Sequence, residues 1–126
     1  LEKEVYKKYD NKVKSYNCSE NKNIKGTIIV HTLMDSINGE KLKGIKINLY
    51  RINGVSPYLI SSKYSDENGI VKFSNIEDGN YRVIEIINKK LYEKPSYVKW
   101  NEINISNYLK EETIYVINKK KEVFIN

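Results

Sequence analysis

Residues 65–85, SDENGIVKFSNIEDGNYRVIE, read as turn, strand, turn, strand, and that reading decides the fold class. Asp66-Glu67-Asn68-Gly69 places a glycine where a tight reversal needs a positive φ, and Ile70-Val71-Lys72-Phe73 follows as a short β run. Glu77-Asp78-Gly79-Asn80 makes the next reversal. The run after it, Tyr81-Arg82-Val83-Ile84-Glu85-Ile86-Ile87, has the apolar and β-branched content of a strand. Alternation along that strand sends Tyr81, Val83 and Glu85 to one side.

The same texture extends upstream and downstream. Residues 26–34 (GTIIVHTLM) predict a strand, and Asp35-Ser36-Ile37-Asn38-Gly39 turns the chain. Residues 44–51 alternate, with Ile45, Ile47 and Leu49 on one face and Lys46 and Asn48 on the other. Asn53-Gly54 and Pro57 interrupt the chain before a further strand over residues 58–64. Residues 88–95 read as a loop, residues 97–106 as extended and irregular, and residues 113–118 (TIYVIN) as the last strand. Val123-Phe124-Ile125 is a candidate for pairing at a sheet edge. Short strands, frequent turns and no internal helix predict an all-β fold, an antiparallel two-sheet sandwich, with a closed barrel as the alternative. Residues 1–25 differ: Leu1, Val5, Tyr9, Val13 and Tyr16 recur at near-helical spacing, so this arm is either a short amphipathic helix or a linker. The expected organisation is an arm over residues 1–25, a sandwich over 26–120 and a tail over 121–126.

At 126 residues, with 40% hydrophobic and 30% charged residues, the chain can bury a core without disulfides or metals. No apolar run approaches the ~20 residues of a membrane span. Leu1-Glu2-Lys3-Glu4 is an unusual natural start and reads as the cut end of a longer precursor. The net charge of +6 is carried almost wholly by lysines spread along the chain, with local groups at Lys89-Lys90 and Lys119-Lys120-Lys121. Arginine is scarce, so the charge reads as a solvated surface rather than a nucleic-acid footprint. Cys18 is the one cysteine and His31 the one histidine, which supplies neither a disulfide nor a metal cluster. No phosphate loop, HExxH or nucleophile elbow is present, so the expected function is non-catalytic and without a cofactor.

The order of these signals resembles the collagen-adhesin B-type repeats, also described as SpaA-like or prealbumin-like domains, of Gram-positive surface proteins and pilins. Gly26-Thr27-Ile28-Ile29-Val30 followed by Asp35 and the run Gly39-Glu40-Lys41-Leu42-Lys43-Gly44-Ile45 resembles their opening. Residues 65–73 with 78–85 are similar to their middle, and Ile114-Tyr115-Val116-Ile117-Asn118 to their final strand. The resemblance implies a prealbumin-like, Ig-like Greek-key sandwich serving as a stalk, spacer or adhesive module at the cell surface or wall.

Many members of that family carry an internal Lys–Asn isopeptide bond assisted by a buried Glu. The chemistry needs a neutral amine, an amide carbonyl and a carboxyl group that shuttles protons. By resemblance, Glu85 stands at the acid position and Asn118 at the acceptor position, while Leu33 occupies the lysine position. Thr32 and Met34 beside it are not lysine either, so the bond is expected to be absent and the three positions vestigial. The alternative is a bond to some other lysine of the chain.

Two partner classes follow from the residues. Tyr92, Tyr97 and Trp100 cluster beside Pro95, and aromatic side chains in a loop either stack on a sugar or anchor a protein, such as a host matrix protein or glycan, or else cap the sandwich. Exposed strand edges, or the arm, offer a route to a homo-oligomer.

Overall fold

The turn at residues 66–69 forms as its side chains dictate. Asp66 Oδ1 accepts the N–H groups of Asn68 and Ile70, both at 2.9 Å, and Gly69 takes a φ of 73°. A Cβ at Gly69 would lie 2.8 Å from the Thr32 carbonyl oxygen, so both conformation and space require glycine there. In the computed structural model, which describes residues 24–122, this turn opens the fourth of eight strands. They are β1 (Gly26–Met34), β2 (Lys46–Ile52), β3 (Tyr58–Tyr64), β4 (Ile70–Ile76), β5 (Gly79–Ile86), β6 (Ser96–Tyr97), β7 (Glu102–Ile105) and β8 (Glu111–Asn118).

The strands form two four-stranded sheets, ordered β4-β1-β8-β6 and β3-β2-β5-β7. There is no helix among the described residues. The architecture is the all-β sandwich that the alternation predicts. Strand β5 begins at Gly79, inside the expected reversal; the stretch 97–106 expected to be irregular supplies β7 and the second residue of β6. The helical reading of residues 1–16 and the edge pairing of residues 123–125 lie outside the described residues.

One pairing departs from the antiparallel rule. Strands β1 and β8 run parallel in the middle of their sheet, from Thr27 opposite Glu111 to Met34 opposite Asn118. Local alternation cannot reveal this, because a parallel pair needs a long connection rather than a local hairpin.

Ile28 and Val30 of β1, Ile47 and Leu49 of β2, Val71 and Phe73 of β4, and Tyr81 and Val83 of β5 meet between the sheets, with Ile114 and Val116 of β8. Burying this surface, at about 25 cal/mol per Å², is the chief favourable contribution to folding. Asn48 departs from its expected solvent-facing role: Ser62 Oγ donates to its Oδ1 at 2.6 Å, its Nδ2 donates to Tyr50 Oη at 3.1 Å, and the residue is buried.

A second polar group, unforeseen from sequence, closes the end of the sandwich where β1 finishes. Thr32 Oγ1 lies 2.7 Å from the Leu42 carbonyl oxygen and 3.1 Å from that of Gly69, and Ser65 Oγ donates to Leu42 O at 2.6 Å. These contacts tie the β1–β2 and β3–β4 connections together. Thr32→Val leaves the shape intact but removes the hydroxyl, and is expected to cost about 1–2 kcal/mol. Urea unfolding measures this; an unchanged midpoint would show that the bridge contributes nothing.

Candidate functional site

The residues with unusual chemistry meet at that same end. Glu85 follows Tyr81 and Val83 on the inward side of β5, and Asn118 follows Ile114 and Val116 on the inward side of β8. Alternation therefore carries both polar side chains into the space between the sheets. Glu85 is 5% exposed and Asn118 fully buried. Asn118 Nδ2 donates to Glu85 Oε1 at 3.0 Å. Asn118 Oδ1 has no hydrogen-bond partner and is the one buried side-chain polar atom so placed among the described residues.

Burial pushes the Glu85 carboxyl up to about 7, against the smaller opposing effect of the Asn118 hydrogen bond. The phenol of Tyr97 seals one side: its Oη accepts the Glu85 backbone N–H at 2.8 Å, and burial raises its pKa as well. Near neutrality Glu85 is thus poised between acid and carboxylate beside an amide whose oxygen lacks a donor. Such a pair can hold and release a proton.

The structure brings Glu85 and Asn118 together but places Leu33 elsewhere. Leu33 lies opposite Ile117, forms a backbone bridge with Lys41, and is buried outside the central cluster. Residues in register on neighbouring strands project to the same side. Asn118 is in register with Met34, so Met34, and Thr32 two residues earlier, share its side of the sheet. The β1 position on the Asn118 side of the sheet is therefore Met34 rather than Leu33.

The aromatic cluster divides. Tyr92 and Tyr97 line an open groove of about 580 Å³ with Ile84, Ile87 and Pro95. Trp100, 77% exposed, lines a separate groove of about 470 Å³ with Val98, Ile103 and Leu109. Trp100 therefore does not cap the sandwich. His31 stacks on Tyr115 across the β1–β8 pair, with ring centroids 4.9 Å apart, and burial together with nearby Lys41 lowers its pKa. Among the described residues no group of His, Cys, Asp or Glu could hold a metal ion, and no helix is long and apolar enough to cross a membrane.

Two facing four-stranded sheets, a parallel pair at the centre of one and a buried Glu–Asn pair at one end define a prealbumin-type sandwich module. The family model for SpaA, described as a prealbumin-like fold domain, matches residues 26–120, and the chain belongs to that family. Among solved structures, the major pilin subunit BcpA of Bacillus cereus is similar at 24% identity and a TM-score of 0.56, over 78% of this chain and 31% of that one. The minor pilin GBS52 of Streptococcus agalactiae is similar at 19% identity and a TM-score of 0.57, over 80% of this chain and 47% of that one. The major pilin SpaA of Corynebacterium diphtheriae, described as pointing to a modular pilus assembly with stabilising isopeptide bonds, is similar at 16% identity and a TM-score of 0.56, over 75% of this chain and 30% of that one. The chain spans less than half the length of each. No curated protein sequence matches it.

Proposed function

We propose that this chain is a non-catalytic spacer module in a surface protein of a Gram-positive bacterium, exposed outside the cell and lacking the internal Lys–Asn cross-link. The observation that carries this reading is the parallel β1–β8 pair. The chain enters the sandwich at the start of β1 and leaves it at the end of β8, so the two connections emerge from opposite ends. Tension applied through them loads the whole β1–β8 ladder in shear, and its bonds must yield together. That is the geometry a load-bearing spacer needs. The similarity to pilin subunits supports the same role, and repeated modules in line would make a stalk.

Single-molecule pulling tests the reading. Handles at positions 24 and 120 shear the ladder, whereas handles at 24 and 107 peel it from one end. The rupture force is expected to be several-fold higher in the first geometry; equal forces would remove the mechanical argument.

A cross-link to another lysine is the second reading, favoured by the near-neutral Glu85 against Asn118. Isopeptide formation expels ammonia, about 17 Da, while the nitrogen of the lysine bonds to the Asn118 side-chain carbon. The intact mass is expected to equal the sequence mass, and a deficit of one ammonia would establish the cross-link instead.

A further inference from the structure

The groove at Tyr92 and Tyr97 has a charge pattern that the spacer role does not use. Lys89, Lys94 and Lys121 belong to its lining, all three are exposed, and none is in an ion pair among the described residues. Glu85 is the one acidic residue of the lining, and its side chain is buried against Asn118. The wall is built rather than loose. Lys121 N–H donates to Leu91 O and Glu93 N–H to Lys119 O, both at 2.8 Å, while Asn88 Oδ1 accepts the Lys90 N–H at 3.0 Å. This small ribbon joins the two lysine groups, far apart in sequence, on either side of Tyr92.

We propose that this groove is a binding site for an anionic polysaccharide, a chain of sugar rings bearing sulfate or carboxylate groups. The rings of Tyr92 and Tyr97 and the ring of Pro95 offer rigid apolar surface to sugar faces at little entropic cost. The ammonium heads are compact point charges suited to sulfate or carboxylate. An extended acidic peptide fits the charge but not the backbone. The β5 edge bordering the groove is already occupied: Val83 N–H donates to Asn101 O at 2.8 Å, Asn101 Nδ2 donates to Val83 O at 3.0 Å, and Glu85 N–H is taken by Tyr97. A peptide strand would find few groups there to pair with. The site is independent of the spacer reading and would let a surface module adhere as well as extend.

Calorimetric titration with a heparin-derived sulfated octasaccharide tests it, with neutral dextran and poly-glutamate as comparators. The octasaccharide is expected to bind, more weakly as salt rises, and dextran not to bind. Tyr92→Ser and the double variant Lys89→Ala/Lys121→Ala should each weaken binding about tenfold, with the thermal melt unchanged. The charge-matched double variant Lys41→Ala/Lys72→Ala should bind as the parent does. No binding by the parent protein, equal loss in the control variant, or poly-glutamate binding that ignores Tyr92→Ser would overturn the proposal.

Discussion

Glu85→Gln is expected to stabilise the protein above neutral pH by about 3 kcal/mol and to leave it unchanged in acid. The folded state raises the Glu85 carboxyl from 4.5 to about 7. Between those values the native state binds more protons than the unfolded chain, so stability falls as pH rises through the window and levels off above it. A shift of that size corresponds to about 3 kcal/mol. Glutamine carries no charge to desolvate. Its carbonyl still accepts the Asn118 N–H, and its own N–H₂ supplies the donor that Asn118 Oδ1 lacks. The difference between variant and parent isolates Glu85, because other carboxylates titrate alike in both. Urea unfolding at pH 4 and pH 8 measures it. A variant no more stable than the parent at pH 8 would mean that the carboxylate has a favourable partner and that the buried-acid account is wrong.

The same pair explains how a mainly aliphatic interior tolerates a carboxyl beside an amide at the end where Thr32 is also buried. Below about pH 7 a protonated Glu85 has one O–H to give, and the adjacent amide has one oxygen waiting for it. Acid and amide then satisfy one another in both directions, which neither does with a carboxylate. The cost falls only on the ionised form.

The longer strands were legible from β-branched and aromatic runs and from alternation, whereas the short β6 and β7 were not. Residues 26–34 and 58–64 match β1 and β3 to the residue because β-branched and aromatic residues run between clear breakers. The inward placement of Glu85 also followed from period two, whereas Asn118 was singled out only by the family resemblance. What local pattern could not supply was register between strands distant in sequence. The β1–β8 pairing decides whether Leu33 or Met34 lies on the Asn118 side of the sheet, and nothing near either strand encodes it. The split of the aromatic cluster has a similar cause. Backbone beyond Tyr97 passes along β8, with Val98 N–H donating to Tyr115 O at 3.0 Å, before joining β5 as β7, so Trp100 faces a different groove from Tyr92. The lysines around Tyr92 were visible as two runs, but their convergence depends on the bridge between Tyr92 and Lys120.

Register gives the second large effect. Met34→Lys should place an amine on the side of the sheet that carries Asn118, whose amide is already hydrogen-bonded to Glu85. Burial has already raised the pKa of Glu85, and position 34 is half-buried, so the part of a lysine that is desolvated there is biased toward its neutral form. The amine nitrogen then bonds to the Asn118 side-chain carbon, Glu85 relays the proton, and the former amide nitrogen departs as ammonia. The expected product is lighter by about 17 Da than its sequence mass. A covalent tie between positions 34 and 118 removes conformations from the unfolded chain, which the loop-entropy relation places at about 4–5 kcal/mol. Leu33→Lys, one residue away and opposite Ile117, should show no mass deficit, and Met34→Lys with Glu85→Gln should lose it. A deficit in Leu33→Lys but not in Met34→Lys would mean that β1 and β8 are offset by one residue from the register described, and with them the whole end of the sandwich where the buried pair sits.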